Sequence, residues 1–152
     1  MLEINVVGTP TPQGSKTAYP VKGRGGKIRC VIVETSGKRL KEWRKAVLEA
    51  AVEAIDAAGW QAPEGPVRVS LDFYMERPKG HYRTGANAHL LRSGAPEFPH
   101  VRPDGDKLQR AVFDALTKAK AYEDDARVVE GTWRKRYADT RAPGVVVRVT
   151  AL

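Results

Sequence analysis

RPDGDKLQRAVFDALTKAKAYEDD, residues 102–125, is the stretch whose periodicity decides how the rest of the chain is read. Leu108, Ala111, Val112, Ala115, Leu116 and Ala119 recur at i, i+3, i+4, i+7, i+8 and i+11. That is one apolar stripe at a 3.6-residue period, and it predicts an amphipathic helix facing a core. Ahead of the stripe, Asp106 is expected as the N-cap, with Gln109 three residues on completing a capping box. In an extended 104–106 segment Asp104 and Asp106 project to one side, and Gly105 between them leaves room for a ligand. Asp106 and Arg110 fall opposite the stripe, one helical turn apart, which sets a cation over an acid.

Beyond Lys120, AYEDD leads into the strand pattern VVEGTWRKRY, so the returning chain is expected to bring a third carboxylate to the first two. Two unit charges ~4 Å apart repel by about 1 kcal/mol in water and about 4 kcal/mol at an effective dielectric near 20. Such a cluster asks for a counter-ion, and hard oxygen ligands that leave water positions open suit Mg²⁺, with Mn²⁺ as a substitute. Taken singly, the same residues have ordinary roles: Asp106 as a cap, Asp104 in a turn, Asp124 and Asp125 in a solvated acidic turn.

The whole arrangement resembles the RusA family of Holliday-junction resolvases, endodeoxyribonucleases of bacteria, phages and prophages. The matching residues are Pro103-Asp104-Gly105-Asp106-Lys107-Leu108, Phe113-Asp114-Ala115-Leu116, Tyr122, Asp124-Asp125 and Val128-Val129. The likeness is strongest over 102–137 and extends more weakly to GTPTPQGSK at 8–16. It implies Mg²⁺-dependent cleavage of four-way DNA junctions by paired symmetric nicks in recombination and repair, leaving 5′ phosphates. It also implies Asp104, Asp106 and Asp125 as metal ligands, Asp125 being preferred over Asp124, and a catalytic role for Arg110. Gln13, Ser15 and Lys16 of the N-terminal loop would then lie near DNA phosphates, although a plain surface loop is an equal reading of that segment. Two nicks related by symmetry imply a homodimer. Two positions depart from the family pattern: Lys107 stands where Asn is common, and Arg110 where Lys is common. Arg keeps the charge but releases a proton less readily, so a proton-transfer role does not carry over to position 110.

Composition agrees. A chain of 152 residues, 29% charged and 41% hydrophobic, fits one globular domain. Its 26 Lys and Arg against 18 Asp and Glu leave a net +8, which favours an anionic partner such as nucleic acid. The single cysteine, Cys30, excludes an intrachain disulfide and a cysteine-based zinc cluster. No apolar run approaches ~20 residues and no basic-then-apolar leader opens the chain, so neither a membrane span nor a secretion signal is expected and the cytoplasm is the expected compartment.

Working outward, residues 2–8 read as a strand ended by Gly8, Pro10 and Pro12. KGRGGKIR at 22–29 is open between a basic hairpin tip on DNA and a solvated turn before the strand IRCVIVE. From Lys38 to Ala58, Leu40, Trp43, Val47, Ala51, Ala54, Ile55 and Ala58 share one helical face, which assigns Trp43 to the core. Residues 66–76 alternate cleanly as a strand, with Val67, Val69, Leu71, Phe73 and Met75 inward. The long segment 77–103 carries Arg77, Lys79, Arg83, Arg92 and Arg102, a composition suited to a nucleic-acid backbone. Lys79, Arg83, Arg102 and Lys107 are taken as DNA contacts. His81, His89 and His100 are irregularly spaced and read as polar loop residues. Phe113 falls off the apolar stripe, which suggests cover by a partner surface. Residues 128–137 and the final GVVVRVTAL are expected to pair as a hairpin.

These elements predict an α/β fold: a mixed sheet of about five strands, ordered β-β-α-β-loop-α-β-β, with both helices packed on it. Besides the resolvase, two functions fit: a catalytically inactive DNA-binding module of the same fold, and a nuclease for other branched or single-stranded DNA or for RNA.

Overall fold

The computed structural model describes residues 1–14, 16–34 and 37–152, for 16, 17, 33 and 34 the backbone alone. Its elements are β1 (Leu2–Val7), β2 (Lys16–Lys22), β3 (Ile28–Glu34), α1 (Gly37–Ala58), β4 (Val67–Met75), α2 (Gly105–Ala119), β5 (Val128–Tyr137) and β6 (Gly144–Ala151). The class is the mixed α/β fold expected, but the strands divide differently. A four-stranded sheet runs in the order β1-β6-β4-β5, and β2 and β3 form a separate two-stranded ribbon. A single sheet of about five strands is therefore corrected. β3 pairs along one edge with β2, a strand that the side-chain pattern, interrupted by Pro20, does not mark.

The closing hairpin is corrected as well. β5 pairs with β4 in parallel, while β6 pairs with the other edge of β4 and with β1, both antiparallel. After β5 the chain turns over the end of β4, where the Ala138 amide donates to the Met75 carbonyl at 2.8 Å. It re-enters the sheet two places away. Adjacency in sequence suggested a hairpin, but β6, whose Val145, Val146, Val147 and Val149 are all buried, gains more by sitting in the middle of the sheet. Gly144 opens β6 because a Cβ there would collide with the Val6 carbonyl oxygen of β1.

Both helices cover one sheet face. Leu2, Ile4 and Val6 of β1, Val67, Val69, Leu71 and Phe73 of β4, and Val145, Val147 and Val149 of β6 meet Leu40, Trp43, Val47 and Ala51 of α1. The stripe predicted on α2, Leu108 to Ala119, is buried in full. Each large side chain so buried contributes about 1.5–3 kcal/mol relative to exposure. The opposite face is polar: Arg148 bridges Glu3 (2.8 Å) and Asp72 (2.9 Å), with Arg134 3.7 Å from Asp72. Within one chain Phe113 is half-buried, packed edge-on to Tyr122 and over Gly131 of β5.

The 77–103 segment is held by its own arginines. Arg77 is buried, donates to both Asp139 oxygens at 2.7 Å and to the Pro96 carbonyl at 2.8 Å, and stacks 4.0 Å from the Tyr137 ring centroid. Arg77 is thus a structural anchor and not a DNA contact. Its guanidinium holds the Asp139 carboxyl below its ordinary value of 3.8. A depressed carboxylate stabilises the fold fully above that value, and the contribution is lost as pH falls through the lower folded pKa. Hydrogen bonds to charged groups are worth about 1.5–3 kcal/mol, so with Asp139 partly exposed Arg77→Met should cost about 2 kcal/mol in urea unfolding at pH 7. The difference from the unmutated protein should shrink below pH 3.8, and proteolysis within 77–103 should quicken.

Candidate active site

α2 begins at the end of the sheet where β4 stops. Asp104 is its N-cap residue, with φ −71° and ψ 139°, and Asp106 lies in the first turn. The cap is therefore two residues earlier than the capping-box pattern placed it, and Asp104 makes no side-chain cap bond. Its carboxylate instead pairs with Lys107 at 3.0 Å. Gly105 does not open space for a ligand. Its α-carbon lies beneath the Trp133 indole of β5, and any Cβ would run into that ring. The glycine locks the helix start onto the sheet edge. From the same strand Lys135 donates to the Val101 and Pro103 carbonyls at 2.9 and 3.0 Å, holding the turn that presents Asp104.

A cleft of roughly 680 Å³ opens here, lined by Thr9, Thr11, Pro12, Glu76, Arg102, Asp104 and Lys107, among others. The N-terminal loop forms its other wall. Gln13 is tied down by its amide, which donates to the Lys107 carbonyl at 3.0 Å. Its side chain accepts from Arg44, which also pairs with Asp114 of α2. Gln13 thus positions the loop, and its side-chain amide oxygen is already engaged. Ser15 and the side chain of Lys16 lie outside the described residues. Lys79, Arg83 and Arg102 are exposed, but Arg83 spends its Nε on the Leu91 carbonyl at 3.2 Å. Arg110 is exposed on α2 and, among the described residues, forms no ion pair with Asp106; the pair that forms is Asp104 with Lys107. Lys107 foremost, then Arg102 and Lys135, hold the Asp104 carboxyl below its ordinary 3.8, leaving it ionised.

Asp125 does not join them within one chain. It opens a short 3₁₀ turn before β5, and its carboxylate accepts from the Thr117 hydroxyl. Thr117 is eleven residues along α2 from Asp106, about 16 Å at 1.5 Å per residue. The topology requires this. With β4 and β5 parallel, Val67 is in register with Val128 and Met75 with Tyr137. The chain entering β5 is therefore at the opposite end of the sheet from the chain leaving β4. Among the described residues no three His, Cys, Asp or Glu side chains gather as a metal-ligand cluster. Asp124, the other member of the pair, caps the 3₁₀ turn by accepting from the Ala126 amide at 2.8 Å. Tyr122 is buried beside Asp125, and desolvation and that neighbouring charge push its hydroxyl far above its ordinary value.

A family model described as Endodeoxyribonuclease RusA matches residues 8–150. The chain belongs to the RusA endodeoxyribonuclease family. It is accordingly a nuclease, and the acid-bearing end of α2 lies inside the matched region. No curated protein matches the sequence. Among the described residues no helix is long and apolar enough to cross a membrane.

Two residues of this RusA-family cleft escaped the sequence pattern. Glu76 falls among the outward residues at the end of β4 and Arg39 among the many cations of α1, positions that no side-chain period marks as a site, yet both line the pocket with Asp104. The signal is positional and appears only once β4 and β5 are seen to be parallel: Glu76 follows the carboxyl end of a strand that enters a parallel β-α-β unit, the place where such sheets bind ligands. The Lys107 contact is directly testable. The Asp104 carboxyl carbon should titrate below pH 3.8 by NMR, and Lys107→Ala should move its midpoint upward toward that value.

Proposed function

We propose that the chain resolves four-way DNA junctions as a Mg²⁺-dependent homodimeric endonuclease, in recombination and repair inside the cell. The observation that carries this is the RusA-family match over 8–150 together with two carboxylates on the opening turn of α2, beside a cleft edged by Arg39, Arg102 and Lys107. A helix N-terminus favours negative charge, and carboxylate oxygens suit a hard divalent cation, Mg²⁺ or Mn²⁺. Within one chain Asp104 and Asp106 are available to such an ion and Asp125 is not.

A two-fold dimer supplies the missing group if the Asp125 end of one copy meets the Asp104 end of the other. The isologous contact then builds two equivalent sites at once, as paired nicks on opposite strands require. Lys107, Arg102 and Lys79 bind the backbone around the scissile phosphate. Arg110, exposed one turn after Asp106, contributes a fixed positive charge suited to a phosphate oxygen. Hydrolysis adds water across the P–O3′ bond and leaves a 5′ phosphate and a 3′ hydroxyl.

The test is a labelled synthetic junction beside linear duplex, single strand and RNA, with and without Mg²⁺. Paired symmetric nicks in the junction alone are expected. Loss of outer-shell partners of metal ligands costs about 10–100-fold, so Asp106→Asn, a direct ligand in this proposal, should lose at least about a hundredfold. Binding without cutting would favour an inactive module, and equal cutting of single strands or RNA a different nuclease.

Mixing variants tests where Asp125 acts. Asp106→Asn and Asp125→Asn are each expected to be inactive. A heterodimer of the two has one intact shared site and should nick one strand only. If each site were built within a single chain, the mixture would stay inactive.

A further inference from the structure

The β2–β3 ribbon is absorbed neither by the core nor by the cleft. Its strands pair only with each other, with Lys22 opposite Ile28 and Ala18 opposite Ile32. Every residue from Ala18 to Ile32 is exposed except half-buried Gly23. Isolated two-stranded ribbons are marginal in water, and this one leaves Tyr19, Val21, Ile28, Val31 and Ile32 open to solvent. Such a surface calls for a partner. Charge identifies which kind. Lys22, Arg24, Lys27 and Arg29 crowd the turn end, and residues 4–33 contain no Asp or Glu. Pro20 removes a backbone donor from β2, which works against a second copy extending that strand.

We infer that the β2–β3 ribbon is a DNA arm that lies in the major groove of a duplex, with Lys22, Arg24, Lys27 and Arg29 on the flanking phosphates. The dimensions fit. Paired strands about 4.8 Å apart, with their side chains, enter a groove about 12 Å wide, and seven residues reach about 23 Å. Alternation turns Tyr19, Val21, Arg29 and Val31 to one face and Ala18, Pro20, Lys22, Ile28, Cys30 and Ile32 to the other, so each face is apolar along its length with a cation toward the turn. One apolar face meets the groove floor while the cations close on the backbone. This rests on the family's being a DNA nuclease, but it concerns grip and not cleavage, so the two fail separately.

The test is binding of the full chain to a labelled junction and to a linear duplex, by anisotropy in Ca²⁺ across a salt series. Each phosphate contact contributes about −0.9 to the slope of log K against log salt. Replacing Lys22, Arg24, Lys27 and Arg29 by Ala should therefore make the slope shallower by about three to four. Protection of guanine N7 from methylation, a major-groove signal, should be lost with it. Because the ribbon is outside the core, the variant should unfold at the same urea concentration. An unchanged slope with unchanged N7 reactivity would overturn the inference. So would an Ile28→Ser, Ile32→Ser variant that loses dimer mass in size exclusion yet binds DNA normally, since the apolar face would then belong to a second copy. A protein that grips duplex through the ribbon but never cuts a junction would sink the resolvase proposal and leave the arm standing.

Discussion

The parallel pairing of β4 with β5 is the constraint on which the rest of the molecule depends. Two neighbouring parallel strands need a crossover that returns the chain along the full length of the sheet, and α2 is that crossover. Once it is in place, Asp104 and Asp106 must stand at one end of the sheet and Asp125 at the other. The contact that fastens the crossover is small: the Trp133 ring on the bare α-carbon of Gly105. A side chain at 105 would lift the start of α2 from β5 and displace the acids it carries.

The same arrangement explains the electrostatics of the cleft. The amino end of α2 favours anions, and Lys107, Arg102 and Lys135 add full charges around Asp104. Asp104 is thereby kept ionised in a neighbourhood that remains attractive to phosphate. Arg77 has the opposite use of the same chemistry. It is buried, satisfied by Asp139, Pro96 and Tyr137, and spent on holding the long segment after β4 against the body. Composition made the two kinds of arginine look alike; burial separates them.

Local pattern reached a definite distance into this structure. The stripe of α2, the inward set of β4 and the core position of Trp43 follow from side-chain period, because a helix or strand buries one face whatever its neighbours are. The family that the acids at 104, 106 and 125 point to was legible for a similar reason, since residue type and spacing are properties of the chain alone. Phe113 and Glu76 were not legible. One is covered by Tyr122 and the strand at Gly131, and the other shares a cleft with Asp104, and both facts depend on which strands become neighbours.

What the amino-acid sequence determined by itself was the set of elements, their buried faces and the chemical identity of the acidic residues. Only the tertiary structure decided that β6 enters between β1 and β4, that β2 and β3 stand apart, and that Asp125 rests on Thr117 away from Asp104. The reason is that periodicity records which side of an element is dry, while strand order and the distance between two carboxylates depend on backbone pairing between segments far apart in the chain.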